Sequence, residues 1–400
     1  MKHLEKEPVI AYNQIHLGFT DYTKAQKLEP LVKWAGGKER ELRYILPNLP
    51  EQFEHYYEPF VGGGAVYTAI QAGKYFINDK SHELISLYKI IGSDQSILFF
   101  EALDEIVCNW EKLGHIAQEN QDFFIHSYKE FAKDKVSEDG LFDKIHTFVL
   151  KNASGFYGLF SSYFNVNTEY FLKELRKNLI RKILRMKILE KEKGKLPDKD
   201  ISDNIETALK SAFYMHFRHL YNSYKKYGLN TALYTAVFLF IRNYAYSGMF
   251  RYNAKGAFNV PYGGIAYNNK NFRKKINYLR SEPLRKLLSR TQIVNADFEV
   301  FFNACKPTRN DFIFLDPPYD TEFSTYAQNS FTREDQRRLA DFLINKCKAK
   351  WMMIIKNTAF ILKLYTHPKI NISTFDKTYL VSFMNRNNKE AQHLRITNYG

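Results

Sequence analysis

The chain reads as an α/β protein built on an open, mainly parallel sheet with helices on both faces, interrupted by a long inserted segment. Three observations lead there. Short apolar runs that stop on an acid occur near both ends of the chain, Tyr75-Phe76-Ile77-Asn78-Asp79 and Phe312-Ile313-Phe314-Leu315-Asp316, and such runs read as buried strands. A glycine cluster, Gly62-Gly63-Gly64, follows a third strand-like piece, His55-Tyr56-Tyr57, and strand-bearing motifs alternate with helical patterns. The motif-bearing parts also bracket a long middle segment, and 400 residues exceed one typical domain. The division expected is a discontinuous sheet domain of residues 26–90 and 290–400, with an insertion at 91–289.

Taken in order, Lys33-Trp34-Ala35-Gly36-Gly37-Lys38 is the first distinctive piece. It does not make a phosphate-binding P-loop, because Glu39 follows Lys38 and the upstream glycine is missing. After His55-Tyr56-Tyr57 the three glycines lead into Tyr67–Ala72, which reads as helical, so a ligand could approach the backbone at a helix start. Asp79 ends the next strand at the distance past the glycines that suits a ribose-binding carboxylate. Inside the insertion Leu172, Leu175, Leu179, Ile183 and Met186 recur at helical spacing between Lys and Arg residues, a basic amphipathic helix stopped at Gly194–Asp198. Its basic side suits DNA contact or an ordinary solvated face. Arg251–Gly263 carries turn signals around short aromatic pieces and predicts a hairpin or two linked turns holding Arg251, Tyr252, Asn253 and Lys255 outward. Thr332 is a good helix N-cap, with Glu334 and Asp335 in the first turn and Leu339, Phe342 and Leu343 on the buried face. Trp351–Ile355 reads as the strand after it.

Asp316-Pro317-Pro318-Tyr319 carries the most specific chemistry. A carboxylate at the end of a buried strand lies where open α/β sheets bind ligands. The exocyclic amine of a nucleobase attacks poorly because its lone pair is delocalised into the ring. Two acceptors that draw its N–H bonds out of conjugation relieve this, and the Asp316 carboxylate with the Pro317 carbonyl could serve, the proline pair stiffening the turn. Tyr319 offers a flat face for a base taken out of its stack. Taken alone, the same four residues could be only a stiff turn after a strand.

The ordered set Lys33–Lys38, Glu58-Pro59-Phe60-Val61-Gly62-Gly63-Gly64, Asn78-Asp79 and Asp316–Tyr319 resembles the Dam-like DNA adenine-N6 methyltransferases, the alpha group of amino-methylating enzymes. The match continues in Asn329-Ser330-Phe331-Thr332 and in Arg251–Gly263, which looks like that family's target-recognition hairpin. The resemblance implies a Rossmann-like S-adenosylmethionine-dependent methyltransferase fold with a largely helical inserted target-recognition domain, its hairpin near 244–264. It implies S-adenosylmethionine as methyl donor and double-stranded DNA as substrate. It places Trp34, Gly36, Gly37 and Lys38 at the cofactor, with Pro59, Phe60 and Gly62 beside it, Asp79 on the ribose and Asp297 near the adenine ring. Asp316 would lie between cofactor and target base, with Pro317, Pro318 and Tyr319 completing the catalytic motif. Arg251, Tyr252, Asn253 and Lys255 would meet DNA. Such enzymes act as the modification arm of a restriction–modification system, beside an independent cognate endonuclease, or as orphan methylases. The insertion departs from compact family members.

Composition agrees: 58 Lys plus Arg against 43 Asp plus Glu leaves +15, which suits a polyanionic partner. Cys108, Cys305 and Cys347 are too few and scattered for a disulfide framework or a metal set, and a reducing cytoplasm, at the nucleoid, is the expected compartment. His216 and His219 share a helix face without further ligands, so packing or surface roles are expected. The apolar stretch Ala232–Ile241 is too short to span a bilayer, and Met1–Glu7 lacks signal-peptide character. Two other readings stay open: an amino-methylating enzyme for cytosine N4 or RNA, and a non-catalytic DNA-binding protein on the same scaffold.

Overall fold

The computed structural model describes residues 28–34, 36–160, 163–319, 331–378 and 390–400. Ala35, Asn329, Ser330, Met1–Glu7 and the expected domain start at residue 26 lie outside the described residues.

Seven strands form one sheet: β1 (His55–Glu58), β2 (Lys74–Asn78), β3 (Thr291–Val294), β4 (Phe312–Leu315), β5 (Lys350–Lys356), β6 (Asn371–Thr378) and β7 (Glu390–Thr397). Their order is β3-β2-β1-β4-β5-β7-β6. The pairs from β3 through β5 are parallel, and β7 runs antiparallel between β5 and β6. The chain winds outward from β1 to β3 on one side and from β4 to β5 on the other. The boundary between β1 and β4, paired at Tyr56–Phe312 and Tyr57–Ile313, is therefore the switch point where such sheets bind ligands.

Both faces of the sheet are covered, which is why its central strands are apolar throughout. Successive side chains alternate in direction. Phe312, Phe314, Met352 and Ile354 join one core, while Ile313, Leu315, Met353 and Ile355 join the other. The first core runs on into the helical segment. The second is closed by the helices Phe298–Cys305, Arg333–Asp341 and Ala359–Tyr365. Arg333–Asp341 starts at a reciprocal capping box, Thr332 with Asp335, and turns its Leu339 inward as its spacing requires.

The described residues of 96–289 contribute helices and no strand of the sheet. The helix Thr168–Lys193 buries Leu172, Leu175, Leu179, Ile183 and Met186, and Gly194 stops it at φ +92°. It lies along Asp198–Asn222, through contacts such as Phe171 against Phe213 and Tyr170 against His219. The expected apolar stretch forms Thr231–Tyr244, a helix buried almost all round. Among the described residues no helix is long and apolar enough to cross a membrane. His216 packs among Phe160, Phe171 and Phe217, and burial pushes its imidazole down to about 3.

Two local expectations are corrected. Tyr67–Ala72 is not a helix but a single 3-10 turn, Tyr67–Ala69. The chain must reach β2 at Lys74, and the Tyr75 hydroxyl fixes this short return by donating to Ile70 O and accepting from Ala72 N. Arg251–Gly263 forms linked turns, one of the two forms its turn signals allow, with two isolated bridges, Ala245–Tyr262 and Tyr252–Phe258, and not the regular hairpin that the resemblance implies.

Candidate active site at the carboxyl edge of the sheet

Because β1 to β4 are parallel, the loops that follow them share one edge. These loops hold Pro59–Val66, Asp79, Asn295–Asp297 and Asp316–Tyr319. Asp316, one residue past β4, forms an ion pair with Lys38, whose amine also donates to Gly36 O at 2.8 Å. The Lys38 side chain is 3% exposed and that of Asp316 19%, so the acid faces a partly open edge rather than a sealed interior. Pro317 is buried and Pro318 exposed, with Pro318 O accepting from Gln336 Nε2 at 2.8 Å. Tyr319 is half-buried; its hydroxyl lies 3.1 Å from His393 Nε2, and the Lys38 ammonium sits 5.8 Å from its ring centre.

The glycine loop is tight for reasons within the protein. Gly62 and Gly64 have φ +50° and +83°. A Cβ on Gly63 would come within 2.3 Å of Val32 O, and one on Gly64 within 2.4 Å of the Tyr88 hydroxyl. The close approach expected of a ligand is thus made, at these two positions, by the chain itself. Segment 31–34 passes over the loop, with Leu31 N donating to Gly63 O at 2.8 Å. Trp34 follows beside Gly62, and Gly36 (φ +78°) and Gly37, which donates to Trp34 O at 3.1 Å, turn the chain toward Lys38.

Asp79 ties this loop to β2. Its Oδ2 accepts from Gly62 N at 3.1 Å and its Oδ1 from Ser81 N at 2.9 Å. Burial pushes the carboxyl up to about 6, against those N–H donors, which favour the ionised form. Asn78 bonds both Pro59 O and the Ala296 backbone, holding the β1, β2 and β3 loops together. Phe60 packs against Phe298 and Phe331 at 6.0 and 5.6 Å. Asp297 caps the Phe298–Cys305 helix and accepts from Arg338 Nη2 at 2.9 Å. The edge therefore gathers three acids, Asp79, Asp297 and Asp316, and an apolar ring, a set that suits a ligand with a diol and a flat heterocycle.

Of the four residues expected at DNA, Arg251, Asn253 and Lys255 are exposed. Tyr252 instead turns inward to the Tyr221 hydroxyl at 2.9 Å and Glu83 at 3.3 Å. Asn253 Oδ1 accepts from Lys255 N and Ala257 N, both at 3.0 Å, so it builds the turn that presents its neighbours.

These observations bring the sequence motifs to one edge, and comparison with known proteins then decides the family. The family model for the D12 class N6 adenine-specific DNA methyltransferases matches residues 34–202 and 186–381. The chain belongs to that family. It is similar to the type II methyltransferase M.CviBI of Paramecium bursaria Chlorella virus NC1A, 24% identical over 84% of this chain and 86% of that protein. The type II methyltransferase M.MjaIII of Methanocaldococcus jannaschii is 26% identical over 85% and 88%. The DNA adenine methylase of Haemophilus influenzae is 24% identical over 86% and 85%. The seven-stranded sheet is accordingly a Rossmann-like methyltransferase fold, and the protein is an adenine-specific DNA methyltransferase.

Sequence reasoning missed several residues of this candidate site. Glu58 is buried beneath the loop. Burial pushes its carboxyl well above the usual range; the Tyr56 hydroxyl, 2.7 Å from Oε2, draws it down, and the Asp316 charge raises it further. Arg242 donates to Lys33 O at 2.6 Å and to Gly248 O, with its guanidinium 5.3 Å from the Trp34 ring and 5.2 Å from that of Phe250. A charge closing the Ala232–Ile241 apolar run was the available signal. His393 carried none, since only the fold brings β7 to Tyr319. At the opposite edge Glu54, His55 and Asp311 bring ligand-type atoms within 4.8 Å of one another. Asp311 accepts there from Thr308 N and Oγ1 at 2.7 and 2.9 Å, and His55 Nδ1 lies 2.9 Å from its other oxygen.

Proposed function

We propose that this enzyme takes S-adenosylmethionine as its donor and methylates N6 of an adenine rotated out of duplex DNA at a specific sequence. The observation that carries the reading is Asp316 at the switch point, ion-paired to Lys38 and one turn from the Tyr319 ring. S-adenosylmethionine supplies a methyl group on a positively charged sulfur. Asp79 would receive ribose hydroxyls, Phe60 and Asp297 would flank the adenine of the donor, and Trp34, Gly36, Gly37, Pro59 and Gly62 would shape its cradle.

Lys38 sets the direction of the Asp316 carboxylate by charge and by its own anchor on Gly36. The carboxylate and Pro317 O accept the amino hydrogens of the target base, which localises the nitrogen lone pair. Tyr319 stacks on that base, its ring direction set through His393. Positioning of this kind supplies the rate without a covalent enzyme intermediate. Arg251, Asn253 and Lys255 would read or grip DNA, with Tyr252 bracing the turn beneath them. In the cell the enzyme would work in the cytoplasm at the nucleoid, as the modification arm beside a separate endonuclease or as an orphan methylase.

Incubation with label-bearing donor and duplex DNA, followed by digestion to nucleosides, should place the label in N6-methyladenine. Label in a cytosine product, or full activity in Asp316→Ala, would overturn the assignment. Long-read modification mapping in an expressing host gives the recognition sequence.

A further inference from the structure

Lys173, Lys177, Arg181 and Arg185 stand four residues apart on the helix Thr168–Lys193, and all four are exposed. Residues at that spacing adjoin one another, so the four cations form one continuous ridge of about 18 Å, at ~1.5 Å per residue. Between Lys173 and Arg185 the only acid is Glu174, and it is 4% exposed. Lys177 leans toward it at 3.4 Å, and Asn178 donates to it at 3.1 Å. The apolar half of this helix is already consumed by the core, so packing does not account for the charge on its outer side.

The position of the ridge follows from the helix beside it. Arg181 Nη2 and Ser211 Oγ both donate to Asn178 Oδ1, at 2.9 and 3.0 Å. On the same face as Ser211, Arg218 donates to Val260 O at 3.1 Å, and Asn222 clamps Phe258 through both N–H···O bonds, at 2.8 and 3.0 Å. Residues 211, 218 and 222 line up at helical periodicity, so the ridge and the Arg251–Gly263 segment flank one side of the Asp198–Asn222 helix. The turn after Asn222 carries exposed Lys225 and Lys226. It is tied to the amino end of the ridge helix, where Asn167 donates to the Tyr227 hydroxyl at 2.9 Å. Lys225 and Lys226 thus lie between the Arg251–Gly263 segment and the amino end of the ridge helix, where Glu169 is exposed in the first turn.

We infer that this ridge is a sequence-independent track for the duplex backbone flanking the recognition sequence. The inference rests on the reading of Arg251–Gly263 as the DNA-facing segment. Each DNA strand presents a phosphate about every 3.4 Å of axis, so ~18 Å of ridge faces about five of them. Each neutralised phosphate contributes about 0.9 to the slope of log affinity against log salt.

The test replaces Lys173, Lys177, Arg181 and Arg185 by Gln in the full-length enzyme. Affinity for a mixed-sequence duplex of about 40 base pairs is then read by fluorescence anisotropy between about 50 and 200 mM salt. The slope should fall by about 2 or more, while methylation at saturating DNA and the melting temperature stay as in the parent. The charge-preserving set K173R, K177R, R181K and R185K should keep the parent slope. A Gln variant whose slope falls by less, or an equal loss in the charge-preserving set, overturns the track. Asp316→Ala should keep the slope, which separates failure of the track from failure of the catalytic assignment. If the fourfold variant does not fold, the pair Lys173→Gln with Arg185→Gln should lower the slope by about 1, and no change would overturn the inference.

Discussion

At the sheet edge Lys38, Glu58, Asp79 and Asp316 are held by partners within the protein, whereas on Thr168–Lys193 Lys173, Lys177, Arg181 and Arg185 turn outward and the apolar side chains mostly inward. The energetic consequences differ. Removing one group at the edge leaves a buried partner unpaired, which costs stability as well as function. Removing an exposed charge from the helix costs within about 0.5 kcal/mol. Chemistry and folding are therefore entangled in the first region and separable in the second.

The largest test of that contrast is Asp316→Ala. Methylation should fall by about a thousandfold or more. Lys38 would also lose its counter-charge, so denaturant unfolding should show a loss of about 3 kcal/mol. Unchanged stability would place Lys38 in solvent and dissolve the entanglement. Next comes Leu179→Ala, a fully buried position of the basic helix. It should cost about 2–5 kcal/mol with methylation per folded molecule unchanged, measured by urea unfolding and by turnover below the transition.

A smaller effect concerns pH. Folding raises the Asp79 carboxyl from 3.8 to about 6, so the folded protein binds this proton more tightly than the unfolded chain. The contribution to stability is then most favourable below the unfolded value and declines as pH rises through about 6. A diol donates to the ionised acid, so affinity for S-adenosylmethionine should increase from about pH 5 to about pH 7 and level off above. Calorimetric titration checks this, and Asp79→Asn should flatten the profile. Smallest is Glu58→Gln. Burial pushes its carboxyl well above the usual range, which favours the neutral form, so the amide should keep activity and change stability by less than about 1 kcal/mol. A large loss would show that Glu58 works as an anion.

The strands β2, β4 and β5 were legible because both their faces are buried, which leaves an unbroken apolar run in the sequence. β6 was not, since Asn371–Thr378 is an edge strand rich in polar residues. Asp316–Tyr319 and the glycines stood out in the sequence because each is a contiguous local pattern. Tyr67–Ala72 looked helical by composition, yet its length was set by the distance to Lys74. The Lys38–Asp316 pair and the His393 contact join residues from distant loops, and no local pattern encodes such meetings. Tyr252 was misdirected for a related reason, because its inward turn depends on Glu83 and Tyr221.

Arg242 sits under Trp34 on one side and Phe250 on the other, and donates to the backbone of both segments. One guanidinium, which burial pushes down to about 10, thus serves as a shared keystone. Anyone grafting residues 246–263 from a relative should carry over an aromatic ring at position 250. Without it the packing of Arg242 against Trp34 would loosen along with the transplanted loop.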